Sequence, residues 1–269
     1  GNAKMSTEAR VRVLISFDST RPTEEMLQLL PRLLGPAQLE LTGLYVEDED
    51  VLRAAELPGL REVTLNGQLS ALDSTRLRHE QALEASAIRQ AFEKLAAGMR
   101  LHHRFLVTRG RASEELTRIA AESDFIMVAR ALRASGLRPR RGIHYDALVR
   151  GPKSVLFVNE PWRSGSSVVV LLGSAEAIAL GRRFAGEDDL RLVLATPPAE
   201  AGRSTQGEAP SSAGERRVAL REWSEEAIAD LCLAEDARLL IVPRTQTLDW
   251  AELLPKLMDR LPCSVLQLS

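Results

Sequence analysis

One stretch of this chain occurs twice, and the repeat limits what the sequence can fold into. From Phe125 an apolar run, Phe125-Ile126-Met127-Val128, leads into a segment without acidic residues (Ala129 to Gly142) that is rich in arginine. A helical pattern follows, and the stretch closes on Ser154-Val155-Leu156-Phe157-Val158-Asn159. Near the C-terminus Leu239-Leu240-Ile241-Val242-Pro243-Arg244 leads through a helical pattern, Trp250 to Arg260, into Ser264-Val265-Leu266-Gln267-Leu268. Arg130 precedes Arg244 by 114 residues and Ser154 precedes Ser264 by 110, so one unit is built twice and the second copy is the shorter. Short apolar runs separated by helical patterns are the signature of parallel strands covered on both faces.

Taken in order, Val11–Phe17 reads as the first strand, and Asp18-Ser19-Thr20-Arg21-Pro22 introduces a helix over Thr23–Leu33 that Pro31 is expected to shorten or kink. Gly35-Pro36 stops that helix, and Gln38–Val46 is the second strand. Glu47-Asp48-Glu49-Asp50 reads as a solvated acidic helix start rather than a cation site, leading into a short helix over Val51–Leu57. A long helix over about Ser70–Met99 and a third strand over Leu101–Thr108 follow. His102 and His103, adjacent on that strand, face opposite sides and cannot share a metal. Gly110 marks a turn, with Ser113 as the expected cap of the next helix.

From Gly165 the pattern restarts, with strands at Ser167–Leu172 and Leu190–Ala195, a helix at Ala175–Phe184, and the Pro-, Gly- and Ser-rich Thr196–Glu215 as a loop. Val218–Trp223 is expected as a short strand, Glu225–Ala234 as a helix, and Leu239–Val242 and Ser264–Leu268 as the last strands. These patterns give an α/β protein of two doubly wound parallel-sheet domains in tandem, the first over residues 5–160 and the second over 165–269. In such sheets ligands sit beyond the carboxyl ends of the strands. In the first unit that rim collects Asp18-Ser19 and the segment Ala129–Ile143.

Composition removes several classes of function. With 35 Lys+Arg against 37 Asp+Glu there is no bulk charge to draw a nucleic-acid partner or an anionic membrane. No apolar run approaches the ~20 residues that span a bilayer, so membrane insertion is not expected and the chain reads as cytoplasmic. Cys232 and Cys263 sit in apolar patterns without metal-ligand spacing and read as buried thiols of a reducing compartment, with neither a metal nor a disulfide role.

The residues resemble the tandem universal stress proteins. Val13–Ser19 is similar to that family's first strand ending in Asp-Gly-Ser, Gly110–Leu116 to its G-x-(P/A)-x-E-E-(I/L) segment, and Phe125–Val158 to the part carrying its nucleotide motif. The resemblance implies a Rossmann-like domain of the adenine nucleotide alpha hydrolase type, and a G-x2-G-x9-G-(S/T) motif whose backbone amides and hydroxyl receive phosphates. Laid on this chain, the motif falls on Ala129, Leu132, Gly142 and Ile143, so only Gly142 is kept. Leu132 puts a branched side chain where backbone must approach phosphate, and Ile143 removes the hydroxyl. The motif is degenerate.

What remains of a candidate nucleotide or anion site is Asp18, which in the resemblance faces the adenosine, together with Val46, Arg130, Arg133 and Gly142. Arg138, Arg140 and Arg141 complete a set of arginines that could replace amide contacts by charge-assisted bonds, unless the loop is simply solvated or faces a partner. The second unit carries Gly173 in place of Asp18 and is not expected to bind a nucleotide. No spacing among Ser16, Ser19, Glu114, Glu115, His144 and Asp146 demands catalysis, so the chain is not expected to be an enzyme.

The reading is a non-catalytic stress-response or regulatory module, without cofactor or family-type ATP binding, that acts on a protein partner. The alternatives are a nucleotide-binding protein of this type with slow ATPase or AMP/ATP sensing at the first unit, and an adaptor to a transporter or kinase. The resemblance also implies that Ser154–Val158 and Ser264–Leu268 pair antiparallel, making an intrachain pseudo-dimer that could associate further as a homodimer.

Overall fold

The computed structural model describes residues 10–18, 20–35, 37–57, 61–63, 69–71, 73–131, 145–160, 164–171, 174–197, 214–244 and 249–269. Apolar runs become central strands wherever helices can cover both their faces. The first half comprises β1 (Arg10–Asp18), α1 (Glu24–Leu34), β2 (Gln38–Asp48), α2 (Glu49–Ala55), the small hairpin β3 (Arg61–Val63) and β4 (Leu69–Ala71), and α3 (Ser74–Gly98). It continues with β5 (His102–Gly110), α4 (Ala112–Ala120), β6 (Phe125–Ala131), α5 (Asp146–Arg150) and β7 (Ser154–Glu160). The second half comprises β8 (Ser167–Leu171), α6 (Ala175–Glu187), β9 (Arg191–Thr196), β10 (Glu215–Ala219), α7 (Glu225–Ala234), β11 (Ala237–Val242), α8 (Trp250–Arg260) and β12 (Ser264–Gln267).

All strands but β3 and β4 join one ten-stranded sheet in the order β10-β9-β8-β11-β12-β7-β6-β1-β2-β5. Within each half the neighbours are parallel, and only the central pair, β12 and β7, runs antiparallel. The seam opposes Val265 to Phe157, Leu266 to Leu156 and Gln267 to Val155, so the expected pairing of the two fifth strands is observed. The N–H of Asn159 donates to Ser264 Oγ (3.2 Å), and the N–H of Ser269 donates to Ser154 Oγ (3.0 Å). Ser154 and Ser264 are equivalent in the repeat, so one bond is made twice in opposite senses, as a twofold axis requires.

The helices close both faces. One apolar layer lies under α1, α3 and α6, the other under α4, α5, α7 and α8, and each runs unbroken from one half into the other. Across the seam Arg32 of α1 lies over the Phe184 ring at 4.1 Å and bonds Glu187 and Asp188, both at 2.9 Å. On the opposite face Gln267 Nε2 donates to the Val149 carbonyl (3.3 Å), and α5 packs on α8.

Several local expectations are corrected. Pro31 neither shortens nor interrupts α1, which reaches Leu34 and ends at Gly35, whose φ of +72° suits a residue without Cβ. Strand β2 continues two residues beyond Val46, and Asp48 is buried, accepting from the Asp50 N–H (2.9 Å) as the N-cap of α2. The acidic run is therefore a strand end and a cap, not a uniformly solvated cluster. The long helix begins at Ser74, because Ser70 belongs to the hairpin and Asp73 supplies the cap. Helix α4 is preceded by Arg111, without a side-chain cap, so Ser113 does not play that part. The edge strand β10 occupies Glu215–Ala219, earlier than the expected Val218–Trp223.

Candidate functional site

The carboxyl ends of β2, β1, β6 and β7 form the rim at which the sequence places a ligand. Alternation along each strand decides which residues share a face. Leu14, Leu44, Ile126, Val128, Val155 and Phe157 belong to the layer under α4 and α5, so Asp18, Val46, Arg130 and Asn159 lie on that same face. Asp18 stands opposite Arg130, and Arg130 opposite Asn159. Asp18 and Val46 both lie two residues beyond the last β1–β2 pair, Ser16 and Leu44. Three of the five residues singled out from the sequence thus form one row across the sheet. Arg133 and Gly142, with Leu132, Arg138, Arg140, Arg141, Ile143 and His144, lie outside the described residues.

Each member of the row has a local reason for its place. Arg130 is only 6% exposed, so its guanidinium is held at the strand ends and not in solvent. Val46 packs in the apolar layer with Ala112 and Leu116, which makes it a wall of the rim, not a polar contact. The chain leaving β1 is fixed by Thr20, whose Oγ1 bonds the Asp18 carbonyl (2.9 Å) and the Ala129 carbonyl (3.2 Å). Thr23 then caps α1 by accepting from the Met26 N–H (3.3 Å). Thr20 and Thr23 therefore set the start of α1 relative to Asp18 and Arg130.

Asn159 was not anticipated as a site neighbour. It is 2% exposed, and its Nδ2 donates to the Cys263 carbonyl (2.8 Å) and the Leu261 carbonyl (3.3 Å). The row at the first rim is thereby tied to the seam. Nothing in the local sequence separates Asn159 from an ordinary strand-end residue.

The second half spends the equivalent position differently. Arg244, the repeat partner of Arg130, donates to the Gly151 carbonyl and, at 3.3 Å, to the Lys153 carbonyl. Burial pushes its guanidinium below the ordinary arginine range. Gly173 lies outside the described residues. At the opposite rim of the sheet, the first half carries a cavity of about 440 Å³ bordered by Arg12, Glu40, His102, Arg104 and Glu122. In the second half the buried Glu235 bonds Arg216 (2.6 Å) and pairs with Arg191 (3.5 Å).

Strand order, tandem halves and the antiparallel seam together define a class: paired Rossmann-like units joined through their fifth strands. A universal stress protein from Archaeoglobus fulgidus DSM 4304 superposes with a TM-score of 0.56 at 11% identity, covering 96% of this chain and 96% of that one. A functionally unknown protein from Pseudomonas aeruginosa PAO1 superposes with a TM-score of 0.53 at 14% identity, covering 96% of this chain and 92% of that one. The fold of this chain is that of a tandem universal stress protein. No protein-family model matches the sequence, and neither does any curated protein. Among the described residues no helix is long and apolar enough to cross a membrane.

Proposed function

We propose that the protein is a non-catalytic regulatory module of the universal stress type, which does not bind ATP in the manner of that family and acts through contact with a protein partner. One observation carries the reading. The end of β6 and the segment that follows it bear Ala129, Leu132 and Ile143 where phosphates need two glycines and a hydroxyl, on a fold otherwise shared along 96% of the chain with a universal stress protein. A Cβ and a branched side chain at those places keep backbone amides from closing on phosphate oxygens.

A second reading is favoured by the row at the first rim. Arg130, nine-tenths buried and in register with Asp18, supplies a fixed cation beside a carboxylate, an arrangement suited to an AMP- or ATP-sized anion if the arginines of residues 133–141 complete it. Calorimetric titration with Mg-ATP, ADP and AMP separates the two. The first reading expects no heat of binding for any of them. Micromolar binding that disappears in Asp18→Ala would replace it by a nucleotide sensor.

A further inference from the structure

Arg104 and Arg216 hold the same place in the repeat. Arg104 stands opposite Thr42 and Thr42 opposite Leu14, as Arg216 stands opposite Val193 and Val193 opposite Val169. Leu14 and Val169 in turn face Ile126 and Leu240, which are 114 residues apart like Arg130 and Arg244. Both arginines share a face with the residue two positions on, Leu106 or Val218, which packs in the layer under α4 and α7. Arg216 donates to Glu235 (2.6 Å), the buried residue that ends α7, and Arg191 pairs with the same carboxylate (3.5 Å). The end of α4 carries Ala121, Glu122 and Ser123 instead, and among the described residues Arg104 makes one hydrogen bond, from Nε to Thr42 Oγ1 (3.0 Å), and no ion pair. Where the second half has the Glu235 carboxylate, the first has the cavity of about 440 Å³ bordered by Arg104, Thr42, Glu40, Glu122 and Ser123.

We propose that this cavity binds a small zwitterion of the amino-acid class, a free amino acid or a dipeptide, with its carboxylate on Arg104 and its ammonium toward Glu40 and Glu122. The second half shows what the arginine takes: Glu235 is the protein's own carboxylate in the position that a ligand's carboxylate fills in the first. Thr42 fixes Nε of Arg104, which leaves the two terminal nitrogens of the guanidinium to bind in a charge-assisted fork. Arg12 does not compete, because its Nε and Nη2 are both engaged by Asp124 (3.2 and 3.0 Å). The demand for an ammonium comes from a reversal of charge. Arg191, two positions before Val193, has as its counterpart Glu40, two positions before Thr42, so an acid replaces the second arginine. Glu40 pairs only with the exposed Arg10 (3.1 Å), and Glu122 makes no ion pair among the described residues. The negative end of the α4 dipole adds to both. A simple anion would be repelled by this side of the cavity, whereas a zwitterion meets both charges. The volume lies within the roughly 300–1,000 Å³ of small-molecule sites.

The site lies at the amino-terminal rim, across the sheet from Asp18 and Arg130, so it stands whether or not a nucleotide binds at the other rim. The test is amide NMR of the full chain titrated with each of the common L-amino acids and with dialanine at millimolar concentration. Expected is saturable movement of the Thr42, Arg104 and Glu122 amides with at least one of these probes. The N-acetyl and the carboxamide derivatives of that probe, each lacking one charge, should bind about tenfold or more weakly. Arg104→Ala, at an exposed position, should weaken binding to a similar degree while amides elsewhere keep their shifts, and the derivative series on the unaltered chain stands even if the variant folds poorly. No movement at these amides with any probe, derivatives that bind as well as the parent, or binding that survives in a folded Arg104→Ala would overturn the proposal.

Discussion

Arg130 and Arg244 stand at equivalent ends of β6 and β11, and the two halves use them for different purposes. Arg130 stays on the first rim in register with Asp18, whereas Arg244 crosses to the carbonyls of Gly151 and Lys153 in the other half. The amino-terminal rims differ in the same sense. Glu235 fills the space between Arg191 and Arg216 in the second half, while the first half leaves a cavity beside Arg12, His102 and Arg104. A repeat of one unit thus separates into a half that keeps a cavity at its amino-terminal rim and a half whose Glu235 and Arg244 serve packing. The twofold hydrogen bonds of Ser154 and Ser264 survive in both, because the seam needs both copies.

The seam should be the most sensitive place to strike. Val155 and Val265 are fully buried, one on each side of it. Replacing either by Asp introduces an unpaired carboxylate and should cost about 4 kcal/mol or more. An unchanged denaturation midpoint in the double variant would show that the two strands do not pair.

The amino-terminal rims offer a graded comparison. Glu235→Ala removes a buried carboxylate from two half-exposed arginines and should cost about 1–3 kcal/mol. Glu122→Ala, on the open cavity of the other half, should stay within about 0.5 kcal/mol. Equal effects in urea denaturation would contradict the division between a packed and an open half.

Arg244→Ala should cost about 1–2 kcal/mol through lost bonds to neutral carbonyls. That loss should persist at high salt. A deficit that vanishes in salt would mean that the arginine works as a surface charge.

The smallest effect concerns Asp124, whose carboxyl lies below the usual carboxylate range because the Arg12 side chain, and then the Arg12 N–H, donate to it. A depressed folded pKa adds stability that is present above the unfolded value of about 3.9 and is lost as pH falls through the folded one. Asp124→Asn should flatten this part of the acid limb by under about 1 kcal/mol, the pair being well exposed. A midpoint with the same pH dependence in both proteins would assign the acid limb to other carboxylates.

Strands with continuous apolar runs were legible in the sequence, and so were the repeat and the antiparallel seam, since each follows from periodicity or from the resemblance. What escaped was decided by tertiary context. Pro31 is expected to shorten or kink its helix, yet α1 continues past it to Leu34. Asp48 looks like one of four solvated carboxylates, but β2 carries it inward and α2 needs its cap. Of the candidate site, Asp18, Val46 and Arg130 proved to share a face, which strand alternation already contains. The bonds of Asn159 to the Leu261 and Cys263 carbonyls depend on how two distant segments cross, and no local pattern encodes that crossing.

The central claim is that the first rim keeps the row of Asp18 and Arg130 while the chain has lost the phosphate cradle. Native mass spectrometry of the intact protein, as purified and after incubation with Mg-ATP, tests it most directly. The account predicts one species at the mass of the polypeptide under both conditions. A stoichiometric adenine-nucleotide adduct, abolished by Asp18→Ala, would contradict it.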